Sequence, residues 1–312
     1  MSIIKVEHLT KTYGDFHAVD HISFEVARGT MLGFLGVNGA GKSTTIHMLS
    51  TRLTPDAGSA QLCGYRIGQE DQKIRRKIGI VYQQNCLDDL LSVRENLICR
   101  GILKREYKKE AFRQLKKLCD MLSLDNILKK KYRTLSGGQK RRCEIAAALM
   151  HTPEILFLDE PTTGLDPATR KDVWAAVSDL QKNEKITVFL TTHYMEEAAG
   201  ADNIILLDRG KIITSGTAFE LKETYASDRL RLYFDDSDCE KNRLVTERLA
   251  AAGADERMIR LEHKGIEIPM RATIDALPIL QTVREVIDGF EVIKGNMDDV
   301  FLNAVGRRRE ND

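Results

Sequence analysis

Gly36-Val37-Asn38-Gly39-Ala40-Gly41-Lys42-Ser43-Thr44 decides the fold of this chain. The nine residues fit G-x-x-x-x-G-K-[ST], the P-loop pattern, whose backbone N–H groups cradle phosphates. Upstream, Met31-Leu32-Gly33-Phe34-Leu35 is a short apolar run suited to a buried parallel strand, and Ser43 to Ser50 suits the helix that follows. Set between strand and helix, Gly36, Asn38, Gly39, Ala40, Gly41, Lys42, Ser43 and Thr44 become candidate nucleotide contacts. Lys42 is expected to reach the β/γ oxygens as a point charge, and Ser43 to hold Mg²⁺.

Two further segments extend the loop into a site. Ile155, Leu156, Phe157, Leu158, Asp159, Glu160 is an apolar run ending in two carboxylates. It describes a buried strand whose carboxyl end meets the ligand, as in open α/β sheets. Asp159 suits the metal shell, directly or through water, while Glu160 is placed to polarise an attacking water. Leu135-Ser136-Gly137-Gly138-Gln139 is a second glycine motif. Its glycines let backbone N–H groups approach a phosphate, and Ser136 adds a hydroxyl donor. Gln139 to Met150 lacks Gly and Pro and reads as a helix whose positive end would face that phosphate. Alone, Ser136-Gly137-Gly138 reads more simply as small residues capping a helix; beside a P-loop and an acidic strand, the anion reading prevails.

With these motifs in this order, residues 2–225 resemble the ATP-binding cassette (ABC) ATPases. The resemblance implies an α/β P-loop NTPase core with a mixed sheet, an antiparallel β subdomain and a helical subdomain near residues 86–150. It puts Tyr13 where members stack an aromatic ring on adenine, although Tyr13 alone reads as an ordinary strand-edge residue. Gln83, with Gln84 beside it as the alternative, matches the Q-loop glutamine that contacts Mg²⁺ and water. Gly164, Leu165 and Asp166 match the D-loop; Asp166 before Pro167 is equally an N-cap and first-turn pair for a helix through Leu180. His193, ending the strand Ile186 to Thr192, matches the switch histidine, and Val37 stands where many members have Pro. One P-loop and one LSGGQ per chain imply a head-to-tail homodimer on ATP and Mg²⁺. Lys42, Ser43, Asp159, Gln83 and His193 of one chain would be closed over by Ser136, Gly137, Gly138 and Gln139 of the other, with Glu160 promoting hydrolysis. A separate polytopic permease subunit is implied as the partner, with this chain on the cytoplasmic face of the membrane.

Composition agrees. A chain of 312 residues with 42% hydrophobic content can hold two domains. Nothing approaches eighteen consecutive apolar residues, so no membrane span is expected. Met1 to Tyr13 alternates like a strand and lacks a secretory apolar core. The six cysteines form no C-x-x-C pair, which points to reduced thiols rather than zinc or disulfides. The net charge of +1 hides fifteen Lys or Arg against five Asp or Glu in residues 100–144. In Arg105 to Leu122 the apolar residues fall at helical spacing, with Lys and Arg around the rest of the helix. A solvated face is the plain reading, and weak attraction to an anionic membrane the alternative. Ser92 and Glu95 form a capping-box signature for a helix from Val93 to Ile102.

Beyond Tyr225 the pattern changes. Thr217 with Glu220 opens a short helix. Strand 229–235, helix 239–252, strand 257–262, strand 265–271, helix 275–288 and strand 290–294 follow, with Gly265 at an expected tight turn. This order, βαββαβ, suggests a small α+β ferredoxin-like domain over 226–312, regulatory or dimer-stabilising. A last helix, Asp298 to Val305, is expected to stop at Gly306. Asp298-Asp299-Val300-Phe301-Leu302 resembles the "EDVFL" ending of daunorubicin-resistance-type export ATPases, with Asp for Glu. Two rival classes are weaker. Soluble ABC ATPases acting on nucleic acid or ribosomes usually show two cassettes, long coiled-coil insertions or cysteine clusters, and the near-neutral charge gives no polyanion footprint, so no nucleic-acid partner is expected. A nucleotide-sensing module without turnover would have little use for both Glu160 and His193.

Overall fold

The computed structural model describes residues 1–104, 108–234, 239–251, 260–262 and 265–311. The chain forms two compact units, Met1–Ala218 and Phe219–Asp312. In the first, the strands are β1 (Ser2–Tyr13), β2 (Phe16–Ala27), β3 (Met31–Gly36), β4 (Ala57–Leu62), β5 (Tyr65–Arg66), β6 (Ile78–Val81), β7 (Ile155–Asp159), β8 (Thr187–Thr192), β9 (Asn203–Asp208) and β10 (Lys211–Gly216). Its helices are α1 (Lys42–Leu49), α2 (Asp71–Lys77), α3 (Val93–Lys104), α4 (Lys108–Leu122), α5 (Gly137–Leu149) and α6 (Pro167–Glu184).

The apolar runs became the centre of a mixed six-stranded sheet, β10-β9-β3-β8-β7-β6. β3, β7 and β8 are buried along their whole length, which is what parallel strands covered on both faces require. Phe34, Phe157 and Phe189 form its middle, with ring centroids 5.1 Å (Phe34–Phe189) and 5.4 Å (Phe157–Phe189) apart. The alternating β1 pairs antiparallel with β2 and β4 in a second sheet, β2-β1-β4-β5. Parallel pairing of β3, β7 and β8 brings the carboxyl ends of all three strands to one edge. There lie the P-loop, Asp159-Glu160 and His193.

Residues 86–150 hold α3, α4 and α5. The Ser92–Glu95 box forms: the Glu95 carboxylate accepts the Ser92 N–H at 2.7 Å, and Ser92 Oγ accepts the Glu95 N–H at 3.2 Å. Arg105 to Tyr107, at the expected start of the basic helix, lie outside the described residues. Five cysteines among the described residues are free thiols, and no helix there is long and apolar enough to cross a membrane.

In the second unit α7 (Ala218–Tyr225) leads into β11 (Asp228–Tyr233), α8 (Cys239–Ala251), β12 (Arg260–Glu262), β13 (Gly265–Met270), α9 (Ala276–Val283), β14 (Gly289–Ile293) and α10 (Met297–Asn311). The sheet order β12-β13-β11-β14 is antiparallel throughout, the split β-α-β arrangement that the element order suggests. Leu230, Leu232, Ile266 and Ile268 of the sheet and Val245, Leu249 and Val283 of the helices make its core. Three details differ from expectation. Gly265 belongs to β13, where a Cβ would stand 2.2 Å from the Leu232 carbonyl oxygen; close approach of a neighbouring strand, not a turn, requires glycine. The helix expected over 275–288 ends at Val283. Helix α10 runs through Gly306 to Asn311: a glycine inside a helix costs only about 1 kcal/mol, and the Arg-rich residues after it favour continuation. The expected strand residues 257–259 lie outside the described residues.

Candidate functional site

Gly39 (φ +84°) and Gly41 (φ +106°) adopt the left-handed backbone that turns the chain from β3 into α1. A Cβ on Gly41 would stand 2.4 Å from the Ala18 carbonyl oxygen, and one on Gly36 2.6 Å from that of Leu207. The loop is therefore wedged between neighbouring strands. Lys42 is 4% exposed. Its ammonium donates to the carbonyls of Gly36 (2.7 Å) and Val37 (3.2 Å) and lies 3.4 Å from Glu160 Oε1. Burial lowers its pKa, and the nearby Glu160 opposes that shift. With two of three N–H donors spent on the loop, the third faces the Glu160 carboxylate.

Asp159 Oδ1 accepts hydrogen bonds from Ser43 Oγ (3.1 Å) and Thr191 Oγ1 (2.7 Å). A hydroxyl and a carboxylate thus converge beside the loop. No group of three or more His, Cys, Asp or Glu capable of holding a metal occurs among the described residues. That donor set fits magnesium, which takes one or two carboxylates and completes its shell with substrate phosphates and water. Ser43, Asp159 and the Gln83 amide are the residues that would hold it.

Glu160 has φ +46°, a strained conformation for a non-glycine residue. Its N–H is held by Thr191, through the carbonyl and the hydroxyl, both at 3.1 Å. Its Oε2 meets His193 Nδ1 at 3.1 Å, Thr163 Oγ1 at 3.1 Å and Gln83 Nε2 at 3.4 Å. Strain, orientation and a ring of polar neighbours single out this carboxylate. Glu197 ties the two strand ends together, accepting from Thr162 Oγ1 (2.5 Å) and Thr192 Oγ1 (2.7 Å).

A cavity of about 420 Å³ runs from this centre to the exposed rings of Tyr13 and Phe16, past Asn38, Gly39, Ser43 and Thr44. Tyr13 is placed at the β1–β2 turn, where it pairs with Phe16. Leu135–Gln139 and Asp166 do not line this cavity. Ser136 is the N-cap of α5: its Oγ accepts the Gln139 N–H at 3.3 Å, and Gln139 Oε1 accepts the Ser136 N–H at 3.1 Å. The helix begins at Gly137, two residues before the expected start. Asp166 caps α6, accepting the Thr169 N–H at 3.0 Å. The plain capping readings of both motifs therefore hold locally, and Ser136 and Gly137 remain exposed.

Sequence reading missed Thr191, Thr163 and Phe16. Thr191 stood in plain view two residues before His193, but a threonine in a strand carries no signal until its neighbours are known. Phe16 could have been found from its aromatic character three residues past Tyr13.

The profile described as "ABC transporter" matches residues 19–163. The daunorubicin/doxorubicin resistance ATP-binding protein DrrA of Streptomyces peucetius is 37% identical over 311 residues, covering 97% of this chain and 92% of that protein. The linearmycin resistance ATP-binding protein LnrL of Bacillus subtilis is 36% identical over 310 residues, covering 98% and 99%. The solved dimeric post-hydrolysis state of the ATP-binding cassette MJ0796, bound to ADP and Pi, superposes with a TM-score of 0.63 at 29% identity, covering 69% of this chain and 98% of that one.

Proposed function

We propose, from the premise that this chain belongs to the ABC transporter family as an ATP-binding, ATP-hydrolysing subunit, that two copies close head to tail on two ATP molecules. The closure would drive export of an amphipathic, drug-like compound through a separate membrane permease, with this chain on the cytoplasmic face. One observation carries the head-to-tail reading. The P-loop cavity gathers Lys42, Ser43, Gln83 and Glu160, while the second glycine motif lies outside that cavity with Ser136 and Gly137 exposed. The chain thus offers the greater part of a site in one place and the remaining part in another. The reading of export is supported by similarity to drug- and antibiotic-resistance proteins along nearly the whole chain.

In this mechanism Lys42 exchanges its contact with Glu160 for the γ-phosphate, and the loop amides take the remaining phosphate oxygens. Magnesium would be held by Ser43, Asp159 and the Gln83 amide, and would supply neutralisation of phosphate charge. Once Lys42 turns to phosphate, Glu160 accepts a proton from the attacking water, oriented by Gln83 and by Thr163. His193 holds Glu160 on one side and contacts the γ-phosphate on the other. Tyr13 stacks on adenine. Ser136 to Gln139 of the partner subunit cap the γ-phosphate from across the interface, and Asp166 lies at the seam.

The test is the assembly state of Glu160→Gln, which retains binding and stalls after closure. With ATP it should run at twice the mass of the single chain in size-exclusion light scattering. Glu160→Gln/Ser136→Arg should stay single; an ATP-dependent dimer of that double variant would count against the trans contact. For the export reading, the chain should co-purify from membranes with a polytopic protein, and recovery with ribosomes or nucleic acid instead would replace it.

A further inference from the structure

β6 ends at Val81, and Tyr82 to Leu87 continue without regular secondary structure. The backbone polar groups of such a segment need partners from elsewhere. Helix α5 supplies them. Arg141 donates from Nη1 to the Tyr82 carbonyl at 2.7 Å and from Nη2 to the Gln83 carbonyl at 3.1 Å. Three residues on, along the same helix face, Glu144 Oε1 accepts the N–H groups of Cys86 at 2.7 Å and Leu87 at 3.1 Å, and the Tyr132 hydroxyl at 2.8 Å. Arg141 is 5% exposed and Glu144 6%. Burying two ionic side chains carries a desolvation cost that apolar residues would avoid. Here both charges are directed at the backbone of one short segment.

Gln83 lies inside that segment. Its side chain is exposed and reaches Glu160 at 3.4 Å, the outer limit of a hydrogen bond. A displacement of well under an ångström in its backbone decides whether the contact exists. We propose that Arg141 and Glu144 are positioning residues for ATP hydrolysis: gripping the carbonyls at one end of Tyr82–Leu87 and the amides at the other, they hold Gln83 within reach of Glu160. The proposal rests on the role given to Gln83 above.

A double-mutant cycle on the full chain separates the two. Steady-state ATPase and ATP affinity, the latter from a fluorescent ATP analogue, are measured for Gln83→Ala, Glu144→Ala and the double variant. Gln83→Ala should lower kcat about tenfold, a loss of about 1.4 kcal/mol. Glu144→Ala should lower kcat by a comparable factor with ATP affinity within threefold (about 0.6 kcal/mol). The double variant should be no slower than the slower single one, because Glu144 acts through Gln83. Glu144→Gln, which retains the accepting oxygen, should recover most of the loss. Multiplying losses in the double variant overturn the positioning role and leave that of Gln83 standing, as does normal turnover by Glu144→Ala. Normal turnover by Gln83→Ala removes both. If Glu144→Ala does not fold, Arg141→Lys takes its place in the cycle, keeping the charge but losing the fork that spans two carbonyls; the same losses then support or overturn the same roles.

Discussion

The two glycine motifs each open a helix, yet they are built for different work. In Gly36–Thr44, Gly39 and Gly41 adopt left-handed backbone, the buried Lys42 lies 3.4 Å from Glu160, and Ser43 meets Asp159 at the end of β7. In Leu135–Gln139 neither glycine has positive φ, and both sit in the first turn of α5. Gly138 must be glycine for another reason: a Cβ there would lie 2.1 Å from Thr169 Cγ2, where α5 meets α6. The first motif holds charge and chemistry. The second offers N–H groups, one hydroxyl and a helix end, with no charged side chain of its own. A site of that kind can read a phosphate already held elsewhere but has little to hold one with.

Four single substitutions and one rescuing second change test how far the contrast goes. Glu160→Gln strikes the chemical half and should reduce kcat by about 100-fold or more, the usual scale for a lost general base, with ATP binding retained. Steady-state hydrolysis near the unmodified rate would remove Glu160 from that role. Ser136→Arg strikes the contact half. It should cost about thirtyfold in kcat, about 2 kcal/mol, without weakening binding of a fluorescent ATP analogue to the single chain. A matching loss of binding would mean that the second motif belongs to the same chain's site.

Gly138→Ala should cost about 1–2 kcal/mol of stability through overpacking, read as a fall in Tm. Adding Thr169→Ser, which deletes the clashing methyl group and keeps the hydroxyl beside Asp166, should restore most of it. If the second change does nothing, packing is not why glycine stands there. Tyr13→Ala should have the smallest effect. Loss of base stacking at so exposed a ring is worth about 1 kcal/mol, or a fivefold rise in KM with kcat unchanged. A change in kcat rather than KM would place Tyr13 outside the adenine contact.

Much of the fold was legible because its signals are local. Phe34, Phe157 and Phe189 lie in apolar runs that read as buried strands, and Ser92, Glu95, Asp166 and Pro167 announce helix starts with their own side chains. The order of elements after Tyr225 was enough to suggest the split β-α-β sheet. Less legible was any residue whose meaning depends on a neighbour far along the chain. Gly265 reads as a turn until β11 is known to run beside it. Gly306 reads as a stop because glycine commonly ends helices, yet nothing in its surroundings calls for left-handed backbone, and α10 passes through it. Arg141 and Glu144 fall within the helix expected from Gln139 to Met150 and carry no signal of their own there; only the fold shows that they grip residues almost sixty positions earlier.

By itself the sequence determined the strand and helix pattern, the phosphate loop, the acidic strand and the resemblance to a family, since each rests on residues within a few positions of one another. Tertiary structure alone decided which of these meet. It gathered Lys42, Gln83, Asp159, Glu160 and His193 at the ends of parallel strands and left Ser136 facing outward. It also put Glu160 into a strained backbone held by Thr191. Periodicity and composition encode which face of an element is apolar, but not which distant element will cover it. The distances that set a carboxylate beside Lys42 and His193 come from that pairing.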